Sequence, residues 1–220
     1  MKARIEELRE NLAKVEEQIQ GALRLASRNR EEVTLVVVTK TYPVEDLLAL
    51  YELGVRNFGE NRDQEGSLKA PHLPSDTHWH FQGQIQSRKI PSLVQWADSI
   101  HSLDSLEHAA KFEKLPNSEK LNYFVQINLE EGADHRGGVS VNEVGSFLES
   151  CTLPITGAMV VAPLGSDPVV AFSKVKKIAD EHGLKEISMG MSGDFEAALV
   201  AGATHIRVGS SILGSRSLLA

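Results

Sequence analysis

The run Val33-Thr34-Leu35-Val36-Val37-Val38-Thr39-Lys40 sets the fold class of this chain. Its first seven residues are apolar or β-branched and show no polar alternation, so they read as a fully buried strand, the kind a parallel sheet contains. Lys40 closes the run. An ammonium at that point either snorkels to water or is desolvated. A desolvated lysine has a lowered pKa and becomes an amine able to form a Schiff base with an aldehyde.

Outward from this run the same alternation repeats. Further strands are expected at 56–58, 78–82, 98–101, 122–128, 155–160, 186–189 and 205–208, and helices at 43–53, 61–69, 87–95, 104–114, 140–151, 167–182, 193–201 and 210–214. The helix at 43–53 begins with Pro43 and ends at Gly54, and that at 167–182 starts with Asp167-Pro168 and ends at Gly183, the usual polarity of proline and glycine at helix ends. Asp104 can cap the segment that follows Leu103. Eight strand–helix pairs imply an all-parallel sheet, and closing eight strands leaves no edge. The expected fold is therefore α/β, a single (β/α)8 TIM barrel.

Ahead of the barrel, Ile5, Leu8, Leu12, Val15, Ile19 and Leu23 recur at three- and four-residue steps with charges between them. They predict an extra N-terminal helix that packs on the domain body, weakened near its end by Gly21. The polar stretch Gly66–Thr77, with Pro71 and Pro74, is a loop rather than a boundary, so residues 1–220 read as one domain.

Composition narrows the function. Of 220 residues 41% are hydrophobic and 24% charged, as in an ordinary globular domain. The net charge of −7 argues against a nucleic-acid partner but leaves room for a small anion held by a local field. The lone cysteine, Cys151, excludes an intrachain disulfide and reads as a packed or half-exposed thiol. No apolar stretch approaches the ~20 residues of a membrane span, and the first residues lack the apolar core of a signal peptide. A cytoplasmic monomer is expected.

In such a barrel the site lies at the C-terminal ends of the strands, where Lys40 falls. Asn57, read as the end of the second strand, could hydrogen-bond a ring substituent, and Glu60 could pair with a cation or cap the next helix. His78 and His80 share one face of the third strand. No third ligand stands at a matching spacing for a metal, so His80 is expected as a hydrogen-bonded, packed histidine, with Gln82 and Gln84 as polar lining. The glycine-rich stretch Asp134-His135-Arg136-Gly137-Gly138 could close over an anion, and a mobile surface loop explains it equally well. Met159 suits the core, though a thioether can also lie against a flat ring. After the seventh and eighth strands come Ser188-Met189-Gly190-Met191-Ser192-Gly193-Asp194 and Arg207-Val208-Gly209-Ser210. Ser192 or Asp194 can cap a helix there, and barrels commonly bind phosphate in these two loops. An amine at one side and a phosphate cup at the other are what pyridoxal 5′-phosphate (PLP) requires.

Ser188-Met189-Gly190-Met191-Ser192, Gly202 and Arg207-Val208-Gly209-Ser210 together resemble the pyridoxal phosphate homeostasis protein family. So do Val38-Thr39-Lys40, Phe58-Gly59-Glu60-Asn61 with Gln64-Glu65, and Trp79-His80-Phe81 with Gly83, Gln86 and Ser87. The resemblance runs from about Leu35 to Gly214 and implies a barrel like the N-terminal domain of alanine racemases, without their second domain. It implies that Lys40 holds PLP as a covalent aldimine, that Ser192, Gly209 and Ser210 hold the phosphate, that Arg207 faces the pyridine nitrogen, and that Asn57, His80 and Met159 line the pocket. The sequence departs from the family pattern at Arg62, Gln84 and Arg136.

An arginine at the pyridine nitrogen donates a hydrogen bond and leaves that nitrogen unprotonated, so the ring is a poor electron sink. Racemase relatives of the family take a second base from the domain this chain lacks. The resemblance therefore implies a PLP carrier or homeostasis factor that buffers the aldehyde or passes it to apo-enzymes. The alternatives are a PLP-dependent amino-acid racemase or lyase, and a Schiff-base aldolase that needs no PLP.

Overall fold

The computed structural model describes residues 2–130 and 137–214. Its strands are β1 (Thr34–Val38), β2 (Asn57–Glu60), β3 (His78–Phe81), β4 (Ser99–Leu103), β5 (Asn122–Asn128), β6 (Val139–Ser140), β7 (Ile155–Met159), β8 (Glu186–Ser188) and β9 (His205–Val208). Neighbours follow the order β4-β3-β2-β1-β9-β8-β7-β5, and β4 also pairs with β5, which closes an eight-stranded parallel barrel. The expected (β/α)8 architecture is therefore present. The two-residue β6 was not expected. It lies outside the eight and pairs with the end of β5, Ile127 opposite Val139.

The helices are α1 (Lys2–Leu25), α2 (Val44–Glu52), α3 (Asp63–Lys69), α4 (Ile90–Trp96), α5 (Leu106–Glu113), α6 (Val144–Ser150), α7 (Pro168–Glu181), α8 (Phe195–Val200) and α9 (Ser210–Leu213). The segments expected as helix from 87 and from 140 begin as single 3-10 turns, Ser87–Lys89 and Val141–Glu143. Asp167 caps α7 by accepting from the Val169 N–H at 2.9 Å. The cap of α5 is Ser105, not Asp104. The Asp104 carboxylate instead accepts the N–H of Gly138 at 3.0 Å, tying β4 to the segment beside β6.

Strand alternation sorts the side chains into two layers. Leu35 and Val37 of β1, Phe58, Trp79 and Phe81 face the helices and are almost fully buried. The Trp79 ring lies 5.6 Å from Phe58 and 6.1 Å from Trp96 of α4. Burying such side chains stabilises the fold by about 1.5–3 kcal/mol each. The inward layer follows from the register, because paired residues of parallel strands share a face: Val38 pairs with Gly59, Gly59 with His80, His80 with Ser99, Val36 with Arg207 and Thr34 with His205. Polar side chains such as His80, Ser99, Arg207 and His205 thus share the barrel interior with Val36 and Val38, while the opposite strand faces pack apolar side chains against the helices.

The extra helix α1 runs straight through Gly21 and packs on α2, α8 and α9. Arg4 bonds both carboxylate oxygens of Asp46, at 3.1 and 2.7 Å, and the carbonyl of Leu213 at 3.0 Å. Asn11 Nδ2 donates to the carbonyl of Ile212 at 3.0 Å. The bonds to Ile212 and Leu213 satisfy two of the free carbonyls of α9 and fix the helix whose start borders the site. Among the described residues no helix is long and apolar enough to cross a membrane.

Candidate cofactor site

Lys40 stands two residues beyond the end of β1, half-buried, and lines a cavity of about 320 Å³ at the C-terminal mouth of the barrel. Its backbone is clamped on both sides. The Thr39 N–H donates to the carbonyl of Gly59 at 2.9 Å, and the Thr39 hydroxyl donates to Glu60 Oε1 at 2.7 Å. Thr41 adopts a left-handed φ of 71°, and its N–H donates to Glu65 Oε2 at 2.6 Å. Lys69 Nζ joins the two halves, donating to Glu60 Oε1 at 2.7 Å, Glu65 Oε2 at 2.9 Å and the Thr39 carbonyl at 2.9 Å. Glu60 therefore pairs with a cation, one of its two expected roles. Burial pushes its carboxyl up, and Lys69 pulls it back.

The adjoining wall is built by β9, which pairs with β1, by β8 beyond it, and by the turns after them. Gly190 has φ 90°, and a Cβ there would sit 2.6 Å from the Cβ of Ala198 and 2.8 Å from Phe195 Cα, so only glycine fits. That turn brings Ser192 beside β9, where its hydroxyl accepts the N–H of Gly209 at 3.2 Å. Asp194 reaches back to the N–H of Met191. Ser192, Gly193, Gly209 and Ser210 all line the cavity. The first N–H groups of a helix lack intrahelical acceptors, so α9 opens with donors beside the Ser192 and Ser210 hydroxyls.

Arg207 reaches the cavity from the barrel axis and is only 4% exposed. Its Nη1 donates to Ser188 Oγ at 2.8 Å and its Nη2 to the carbonyl of Val160 at 2.7 Å, both uncharged acceptors. Burial lowers its pKa to about 10, with Asp194 acting the other way, so the guanidinium stays charged at neutral pH. A buried cation bonded to neutral groups favours electron-rich atoms in the space it faces. Val38, Met159, Val161 and Met191 supply apolar walls. Gln82 Nε2 is buried without a hydrogen-bond partner among the described residues and also lines the cavity.

Of the residues expected at the site, Lys40, Met159, Ser192, Arg207, Gly209 and Ser210 come together here. Asn57 and His80 do not line this cavity. Asn57 begins β2 rather than ending it, and so lies at the opposite mouth of the barrel, where it borders a second cavity. His80 is 3% exposed within the barrel and bonds Asn57 and His101. His78 is exposed, whereas His80 is buried. Gln84 is exposed too, whereas Gln82 is in place. Asp134, His135 and Arg136 lie outside the described residues. Tyr42 and Asn61 also line the cavity and were not expected there. Asn61 follows the end of β2 as Lys40 follows β1, and that position was its available signal.

The set fits PLP: an amine for the aldehyde, apolar walls for a flat ring, a buried cation for the ring nitrogen, and hydroxyl and amide donors for the phosphate. No family model matches the chain. It is 40% identical to the pyridoxal phosphate homeostasis protein of Corynebacterium glutamicum, over 88% of this chain and 96% of that one. It superposes on PipY of Synechococcus elongatus, solved with PLP bound, with a TM-score of 0.80 and 30% identity, covering 94% of this chain and 100% of the other. An alanine racemase of Clostridium difficile shares the fold at a TM-score of 0.70 and 16% identity, over 96% of this chain and 57% of the racemase. The chain belongs to the pyridoxal phosphate homeostasis protein family.

Proposed function

We propose that this protein binds PLP through a Schiff base to Lys40 and serves the intracellular balance of that cofactor, as a single-domain cytoplasmic monomer. The observation that carries the reading is the convergence of Lys40, Arg207 and the Ser192–Gly209–Ser210 wall on one cavity. A PLP-bound relative at 30% identity supports it.

When bound, the cofactor supplies an aldehyde that an amine can capture and a ring whose electron-withdrawing power rises when its nitrogen is protonated. Lys40 offers that amine from a backbone held rigid by Glu60, Glu65 and Lys69. Ser192, Gly209 and Ser210 bind the phosphate, and Met159 and Val38 cover the ring. Arg207 donates to the ring nitrogen and leaves it unprotonated, which restrains substrate chemistry and suits storage and transfer to apo-enzymes.

The test is a titration of purified protein and the Lys40→Ala variant with PLP, followed by visible absorption. A saturable band above 400 nm in the wild type and its loss in the variant support the reading. Equal spectra, both those of free PLP, overturn it.

A further inference from the structure

A row of polar groups, buried except for the half-buried Asn57 at its end, runs down the barrel axis from Arg207 to the far mouth. Arg207 Nη1 meets Ser188 Oγ at 2.8 Å, Ser188 Oγ meets His101 Nδ1 at 2.8 Å, His101 Nε2 meets His80 Nδ1 at 2.9 Å, and His80 Nε2 meets Asn57 Oδ1 at 3.0 Å. Every link is a side chain on the inward face of a different strand, from β9 through β8, β4 and β3 to β2.

The two ends fix the direction of the row. Guanidinium can only donate, and the Asn57 amide presents its oxygen, which can only accept. His80 must then carry its proton on Nε2 and accept on Nδ1. His101 carries its proton on Nε2 and accepts on Nδ1. The Ser188 hydroxyl accepts from Arg207 and passes its own proton to His101. One proton per link satisfies the whole row with both imidazoles neutral.

The surroundings favour that neutral state. Phe124 stacks on His101 at 4.2 Å, and His205 lies 6.0 Å from His80 and 5.8 Å from His101. Burial, and with it His205, pushes both imidazoles well below the ordinary histidine range, with His78 adding to the effect on His80, and His80 and Arg207 adding to that on His101. A proton added to His101 would face Arg207 with a second charge and leave the Ser188 hydroxyl without its acceptor.

We propose that Ser188, His101, His80 and Asn57 form a one-way hydrogen-bond relay that aims Arg207 at the ring nitrogen of the bound cofactor, which makes them positioning residues for a site they do not line. The relay rests on the PLP reading above. It deepens that reading by assigning a purpose to the histidines that the cavity leaves out.

The test uses the full chain. In cofactor-free protein, ¹⁵N spectra of the histidine rings report tautomers, and the expected result is neutral rings protonated on Nε2 at both His80 and His101. Ser188→Ala removes a link, and Asn57→Ala removes the far acceptor. Both variants are expected to bind PLP through Lys40 with a shifted visible band. The Kd for PLP rises about tenfold in the first, the scale of one hydrogen bond to a charged group, and severalfold in the second. Asn57→Ala also mixes the tautomers of both rings. Asn57 is half-buried at the barrel mouth, so its variant decides the matter if Ser188→Ala fails to fold. Nδ1 protonation on either wild-type ring, or wild-type Kd and spectrum in both variants, overturns the relay. Failure of the wild type to take up PLP overturns the functional reading and the relay's ligand with it, whereas wild-type uptake with unchanged variants overturns the relay alone.

Discussion

The ammonium of Lys69 lies 2.9 Å from the carbonyl oxygen of Thr39, one residue before the lysine proposed to hold the cofactor. Both side chains are buried, and the same ammonium bonds Glu60 and Glu65. A cation from α3 thus sets the path of the chain as it leaves β1.

Lys69→Met keeps the length of the side chain and removes its charge, leaving Glu60 buried with neither of its oxygens facing a cation. Stability is expected to fall by about 3 kcal/mol, the scale of a buried ion pair that loses one partner. Chemical denaturation of the cofactor-free variant measures this. A change under about 1 kcal/mol would mean that the cluster does not brace the strand end.

Ser192→Ala removes a hydroxyl from the wall proposed to hold the phosphate and the acceptor of the Gly209 N–H. The expected effect is a roughly tenfold weaker Kd for PLP. Pyridoxal, which lacks the phosphate, should bind both proteins alike. Parallel titrations with the two aldehydes separate loss of phosphate recognition from general damage to the cavity.

Gly190→Ala puts a Cβ against Ala198 and Phe195 at a φ of 90°. A loss of about 2–3 kcal/mol is expected from the strained backbone and the clash. The melting temperature reads it directly, and a wild-type value would refute the glycine requirement.

Acid should unfold the protein in a defined window. His205 has its pKa lowered to about 4 by burial, and His80 and His101 are lowered well below 6.5. The unfolded chain binds protons at these positions near 6.5 that the folded chain refuses, so it is favoured as pH falls. Their stabilising contribution is complete above about pH 6.5 and is lost as pH falls below it, for His205 by about pH 4. Glu60, whose carboxyl is raised, acts in the opposite sense. Calorimetry between pH 7 and 5 should show the melting temperature falling with pH, less steeply in His205→Gln. A flat profile would contradict the buried neutral histidines.

The strand order was legible because each buried strand carries its own apolar run and each helix its own punctuation, as in Pro43 and Gly54. The residues after strands β1, β8 and β9 were legible for the same reason. Asn57 was misplaced by a boundary. Expected at the end of a strand over 56–58, it opens one over 57–60, and three residues of strand move a side chain by roughly 10 Å along the barrel. His80 is a packed, hydrogen-bonded histidine, one of the two roles expected of it, and not a lining residue of the cavity; its partners stand on other strands and no spacing within the chain announces them. The Glu60–Lys69–Thr39 cluster escaped for the same reason. Its members are spread over 30 residues and meet only once the barrel closes.

Borohydride reduction of PLP-treated protein, followed by peptide mass spectrometry, tests the central claim most directly. The account predicts a single stoichiometric pyridoxyl modification on the peptide that carries Lys40, blocked by excess PLP analogue lacking the aldehyde. Modification spread over surface lysines, with Lys40 unlabelled, would contradict it.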